Sequence, residues 1–286
     1  MSRTECGSSD MWSPEKIAAL LAEDVPYGDL TTDLLGIGSA PARMVFRLRQ
    51  AGVVAGVEAA AQLIRAAGGA AELQSATGAR VEAGTVLLRA EGPAGALHRG
   101  WKVSQTLVEY LSGIATATAA LVEAARAVSP HIAVVTTRKT FPGVKAAMIE
   151  AIKAGGALPH RLGLSETVLV FPEHRAFLPD TLAALARLKR EAPEKRVVVE
   201  VDTLEGVEAI LPAAPDILQC EKMAPEGIAE VVALVRAAGI AVKVAAAGGV
   251  NAGNAAAYAA AGADILVTSA PYWAKPADVK VVLEPA

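Results

Sequence analysis

Thr137, Arg138 and Lys139 follow directly on a short β-branched apolar run, residues 132–135, and its capping Thr136, and a second basic pair, His160 and Arg161, comes one helical segment later. Two cationic clusters that bracket one helix suit a polyanion. Arginine offers a planar fork for carboxylate or phosphate oxygens, and lysine a point charge; structural ion pairs are the competing use of the same side chains. Two carboxylates close apolar runs further on, Glu200 in 197–201 and Glu221 after 217–220. If they face the same site rather than solvent, they are suited to Mg2+ or to ribose hydroxyls. Gly248-Gly249, preceded by Ala247, follows the run 241–246, and Thr268-Ser269 ends the run 265–268. Such a glycine turn is either a plain strand-to-helix connection or, where it opens a helix, a phosphate cradle of backbone N–H groups.

These residues need a scaffold that brings chain positions 137 to 269 together. Six β-like runs, at 132–135, 168–171, 197–201, 217–220, 241–246 and 265–268, alternate with helix-like segments at 144–153, 175–191, 204–211, 225–238 and 252–261. Strand and helix in alternation predict parallel βαβ units, whose ligand sites lie at the carboxyl ends of the strands. Six units are too few for an eightfold barrel, so an incomplete α/β barrel is expected. Upstream, Ser13-Pro14 predicts a helix start, residues 23–32 a turn-rich loop, 43–50 a half-buried strand, 57–67 a helix, and 71–74 and 85–90 shorter strands. Together they predict an α+β open sandwich. Residues 97–128 read as a long helix interrupted near Ser112-Gly113. The domains expected are 1–115, with the extreme C-terminus packing back on it, and 116–275.

Composition bounds the rest. The 286-residue chain is 53% hydrophobic with a net charge of −3, enough for a sizeable core and without bulk attraction for nucleic acid or an anionic membrane. Cys6 and Cys220 lack metal-ligand spacing, and no signal sequence is read in the polar residues 1–10. The alanine-rich 242–267 is interrupted by Asn251, Asn254, Asp264 and glycines, so no membrane span is expected there. A cytoplasmic location fits. Arg43, Arg47 and Arg49 read as a solvated sheet face, and His98, His131 and His174 as ordinary histidines.

Several ordered motifs resemble the type II phosphoribosyltransferases typified by quinolinate phosphoribosyltransferase: Tyr27-Gly-Asp-Leu-Thr-Thr32, Ser112-Gly-Ile-Ala-Thr116, Thr137-Arg-Lys-Thr140 with Pro142-Gly143, and His160-Arg161. The resemblance implies an N-terminal open sandwich, an incomplete α/β barrel, chemistry with phosphoribosyl pyrophosphate (PRPP) and Mg2+, and a homodimer, alone or within a higher oligomer, whose subunits complete each other's sites. Carried over, Thr137, Arg138, Lys139, His160 and Arg161 bind the acidic acceptor and the pyrophosphate side of the donor, and Lys139, Glu200 and Glu221 are catalytic. The two glutamates also lie near ribose and metal, while Ala247, Gly248, Gly249, Thr268 and Ser269 hold the 5-phosphate. Departures follow the ModD branch, associated with molybdate-transport genes. Phe171 replaces a substrate-binding lysine and Lys102 a partner-supplied arginine; Glu221 replaces an aspartate, Lys222 an asparagine and Ala247 a serine. Loss of a cation that pairs with a carboxylate costs roughly 2 to 5 kcal/mol where the pair is buried. The expected acceptor therefore carries fewer negative charges than a dicarboxylate and has a planar ring against Phe171. A non-catalytic sensor of phosphoribosyl compounds or oxyanions is the alternative.

Overall fold

The computed structural model describes residues 12–286; residues 1–11, which include Cys6, lie outside them. The strands, in chain order, are β1 (Pro41–Leu48), β2 (Gly52–Val53), β3 (Ala70–Leu73), β4 (Arg80–Val81), β5 (Val86–Pro93), β6 (Ala133–Thr136), β7 (Leu158–Pro159), β8 (Val168–Val170), β9 (Val197–Val201), β10 (Ile217–Glu221), β11 (Lys243–Ala247), β12 (Ile265–Thr268) and β13 (Val279–Pro285). The described residues divide into two compact units, one of residues 12–117, 142–155 and 274–286, the other of 118–141 and 156–273.

In the first unit, β13, β1, β5 and β3 form an antiparallel sheet in that order. β1 alternates as its sequence requires: Met44, Phe46 and Leu48 are buried with Ile64, Leu87 and Leu97 against helix Val57–Ala66. Side chains two residues apart share one face of a strand. Ser13 caps helix Pro14–Asp24 by accepting from Lys16 N. The expected loop at 23–32 gives way to a helix, Leu30–Leu35, because Asp29 Oδ1 accepts the Thr32 N–H at 3.1 Å, a side-chain cap. The expected helix interruption near Ser112-Gly113 is also absent: Ala94–Arg126 is continuous. Gly113 serves packing, since a Cβ there would lie 2.3 Å from the Lys275 carbonyl oxygen. Ser112 Oγ accepts from Ala55 N at 3.0 Å.

The second unit carries a seven-stranded half-barrel sheet ordered β7-β6-β12-β11-β10-β9-β8, parallel throughout. Six strands match the apolar runs; β7 is a seventh, two residues long and too short to leave a periodic signal. The inner face of the sheet is lined by Leu169, Val198, Ile217, Ala245, Ala247 and Val267, with Phe171 packed against them. The helix expected at 175–191 is two, Pro172–Arg175 and Thr181–Glu191, because Asp180 caps the second through Ala183 N at 3.0 Å.

Ala94–Arg126 is the one described helix with the length and hydropathy of a membrane span, and 56% of its most apolar 18-residue window is buried inside the protein, as in a core helix.

Candidate active site

Strand β6 delivers the first basic cluster. Thr136 is fully buried, its Oγ1 2.9 Å from the Tyr272 hydroxyl, which also lies 3.3 Å from the Thr137 carbonyl. Thr137 N donates to Thr268 O at 2.9 Å, and Thr137 Oγ1 accepts the Lys139 N–H at 3.2 Å. The backbone is thereby held beside β12, while the side chains of Arg138 and Lys139 stay exposed. His160 N donates to Thr136 O at 2.9 Å, which sets the second cluster beside the first.

Arg161 is 8% exposed and has no carboxylate partner among the described residues. Burial lowers the pKa of its guanidinium, and the nearby charge of Arg138 lowers it further; burial and then Arg161 lower that of the His160 imidazole. A guanidinium without an acid beside it is suited to the oxygens of an anionic ligand. The guanidinium carbon lies 5.9 Å from the centre of the Phe171 ring, within cation–π range. Phe171 in turn stacks on His174 at 5.6 Å and 19°. The Phe171 N–H donates to His174 Nδ1 at 3.0 Å, so the imidazole proton sits on Nε2.

The opposite charge collects on β9 and β10. Glu200 Oε2 accepts from Gln219 Nε2 at 2.8 Å, and the Glu200 carbonyl accepts from Arg175 at 3.0 Å. Burial raises the Glu200 pKa, and Glu221, then Glu173 and Asp202, add to the rise against the Gln219 hydrogen bond. No lysine or arginine pairs with Glu200 or Glu221 among the described residues. Gly248 makes room for this arrangement: a Cβ would stand 2.6 Å from Glu221 Oε1 and 2.7 Å from Lys222 N. Lys222 itself has φ 57° and donates its N–H to Ala247 O at 2.8 Å. A left-handed lysine is strained by about 1 to 2 kcal/mol. No three His, Cys, Asp or Glu side chains among the described residues are grouped to cage a metal; a pair of carboxylates suits Mg2+, which keeps waters and substrate phosphates in its remaining positions.

The glycine loop differs from the sequence expectation. Its helix begins at Ala255 rather than Ala252, so Gly248-Gly249 does not open it. Instead the amides of Asn251 and Asn254 both donate to Gly249 O, at 3.0 and 3.1 Å, and Asn254 Oδ1 accepts Asn251 N at 2.8 Å. The N–H groups of Gly248 and Gly249 have no internal acceptor among the described residues. Ala247 is buried opposite Glu221 in the ladder. Thr268 is buried as well, and its hydroxyl donates to Val250 O at 2.6 Å and accepts Ala270 N at 3.0 Å; it shapes the loop. Ser269 is half-buried beside it. Lys102 belongs to the other unit, where its ammonium lies 4.5 Å from the Trp101 ring centre and donates to Gln105 Oε1 at 3.1 Å.

Sequence reasoning missed Gln219, Arg175, His174, Tyr272 and the two asparagines. For Gln219 a signal existed: a glutamine inside the apolar run 217–220, two residues before Glu221 and hence on the same strand face.

Two family models match end to end, the N-terminal domain of quinolinate phosphoribosyl transferase over residues 29–112 and its C-terminal domain over 114–282. The chain belongs to the quinolinate phosphoribosyl transferase family. Within this phosphoribosyltransferase family it is 46% identical over 246 residues to a Rhodobacter capsulatus protein named as the pyrophosphorylase ModD, covering 84% of this chain and 93% of that one. It is 35% identical to the nicotinate-nucleotide pyrophosphorylase [carboxylating] of Mycobacterium leprae, over 71% of this chain and 73% of that one. The crystal structure of NadC from Streptococcus pyogenes superposes with a TM-score of 0.87 at 25% identity, over 99% of this chain and 100% of that one.

Proposed function

We propose that this protein is a Mg2+-dependent phosphoribosyltransferase of the ModD type, which joins the phosphoribosyl group of PRPP to a small aromatic acceptor and releases pyrophosphate. The observation that carries the reading is the separation of charge at the strand ends. Arg161 is buried without a carboxylate, and Glu200 and Glu221, on the second and third strands after it in chain order, stand without a cation. Anionic groups of the ligands complete one side, and cationic or hydroxyl groups complete the other.

In this reading the acceptor's ring lies against Phe171 and its carboxylate reaches Arg161 and His160. Arg138 and Lys139 meet the pyrophosphate. The free N–H groups of Gly248 and Gly249, with Ser269, take the 5-phosphate. A bond forms from the acceptor nucleophile to ribose C1 as the bond from C1 to the pyrophosphate oxygen breaks, the electron pair leaving with pyrophosphate. Positive charge that develops on the ribose ring is stabilised by the Glu200 and Glu221 carboxylates. Those two side chains would hold Mg2+, whose charge offsets that of the pyrophosphate oxygens. A sensor that only bound phosphate would need the cations and the glycine loop but not a like-charged carboxylate pair, so catalysis is the better reading.

Residues Tyr27, Leu30, Leu34 and Leu35 are largely exposed, an apolar set that supports a homodimer in which a second copy covers it and contributes Lys102. A cytoplasmic location and a tie to molybdenum rest on the likeness to ModD alone.

The test is pyrophosphate release from PRPP with Mg2+ across aromatic acids and nucleobases. We expect release with at least one, and its loss with EDTA or in Glu200→Ala and Glu221→Ala. PRPP binding with no release from any acceptor would favour the sensor.

A further inference from the structure

Gln219 is a buried amide that the reaction as described does not use. It is 5% exposed, on the inner face of β10, flanked in the ladder by Glu200 on β9 and Ala245 on β11. The carboxylate of Glu200 fixes which way the amide faces, because only the NH2 end can donate to it, and Nε2 does so at 2.8 Å. The carbonyl end is left over. Gln219 Oε1 is buried and has no hydrogen-bond partner among the described residues. Its neighbour across the ladder, Ala245, has no polar group to offer, and it is as small as a side chain with a Cβ can be. The apolar residues around it, Ile217 and Val198, would be served as well by an aliphatic side chain. A glutamine here therefore costs stability unless something donates to its oxygen.

Resting on the transferase reading of this site, we propose that Gln219 is a specificity residue: its Oε1 accepts a hydrogen bond from an N–H or O–H group of the acceptor ring. The acceptor class is then an aromatic acid with one carboxylate, held by Arg161, and a ring-borne donor such as an amino or hydroxyl group. Glu200 acts as the positioning group that fixes which end of the amide is left to accept. A site built to accept a hydrogen bond discriminates strongly against an analogue without the donor, because the acceptor is left unpaired.

The experiment compares binding of nicotinate, each of its ring amino derivatives and each size-matched ring methyl derivative, in the presence of PRPP and Mg2+, to the wild-type protein and to Gln219→Met. One amino compound is expected to bind the wild type about tenfold or more tightly than its methyl counterpart, and Gln219→Met is expected to erase or reverse that preference. A change of packing alone would weaken both members of a pair together. Should Gln219→Met fail to fold, Gln219→Leu replaces it, and the wild-type preference stands as a test by itself. No amino-over-methyl preference in the wild type, or the same preference in the variant, overturns the proposal and leaves an internal water as the partner of Oε1. Pyrophosphate release with unaltered preference in the variant removes only the role of Gln219. Absence of PRPP binding to both proteins removes the transferase reading with it.

Discussion

The basic and acidic sides of the site are built differently. Arg138 and Lys139 lie beyond the end of β6 on an exposed loop, anchored through backbone contacts of Thr137 to Thr268 and of His160 to Thr136. Glu200 and Glu221 are inside strands, fixed by the parallel ladder that sets Gln219 beside Glu200 and Ala247 beside Glu221. Ladder register positions a side chain more tightly than a loop does. On the proposed reading, the acidic side is pre-formed for the step at which charge develops, and the basic side meets the ligand from a loop. Arg161 is the exception, a buried cation among exposed ones.

Breaking the acidic side should have the largest effect. Glu221→Ala and Glu200→Ala are each expected to lower kcat by about a hundred- to a thousandfold, read by pyrophosphate release, with the fold kept. Arg161→Met separates function from stability: acceptor binding should weaken by roughly 2 to 5 kcal/mol, while the ligand-free protein melts at a higher temperature, since an unpaired buried cation is gone. A lower melting temperature would show that Arg161 is satisfied within the protein. Phe171→Lys sharpens the comparison by adding a cation beside Arg161. It should shift preference toward quinolinate over nicotinate by about tenfold or more.

The smallest effect is on pH, and the two sides should respond with opposite sign. Burial and Glu221 raise the Glu200 pKa above its ordinary 4.5. The native state then holds its proton more tightly than the unfolded chain, and the stability this gives is full below pH 4.5 and lost as pH rises through the raised value. His160 has its pKa lowered from 6.5 by burial and Arg161; its contribution is full above pH 6.5 and lost as pH falls through the lowered value. Melting curves across pH should flatten on the corresponding limb in Glu200→Gln and in His160→Gln. Unchanged limbs would mean that neither group is desolvated.

What the sequence made legible was local. Apolar runs that end in charged or hydroxyl residues marked the half-barrel strands and put Arg138, Glu200, Glu221 and Ser269 at one end of the sheet. Gly113 was misleading, because its effect on helix propensity is local while the close approach of Lys275 that requires it is tertiary. Residues 158 and 159 pair with β6 without any periodicity to announce it. In the site, residue types were readable but isolation was not: that Arg161 lacks an acid, or that one end of Gln219 lacks a donor, depends on what packs around each from other strands. Phe171 was visible as an aromatic ring; its place between Arg161 and His174 was not.

The most direct measurement is the ratio of kcat/KM for nicotinate to that for quinolinate in the wild-type protein, by pyrophosphate release with PRPP and Mg2+. A single buried cation beside Phe171 predicts a ratio above one. A ratio well below one, with quinolinate turned over efficiently, would contradict the account of the acceptor site.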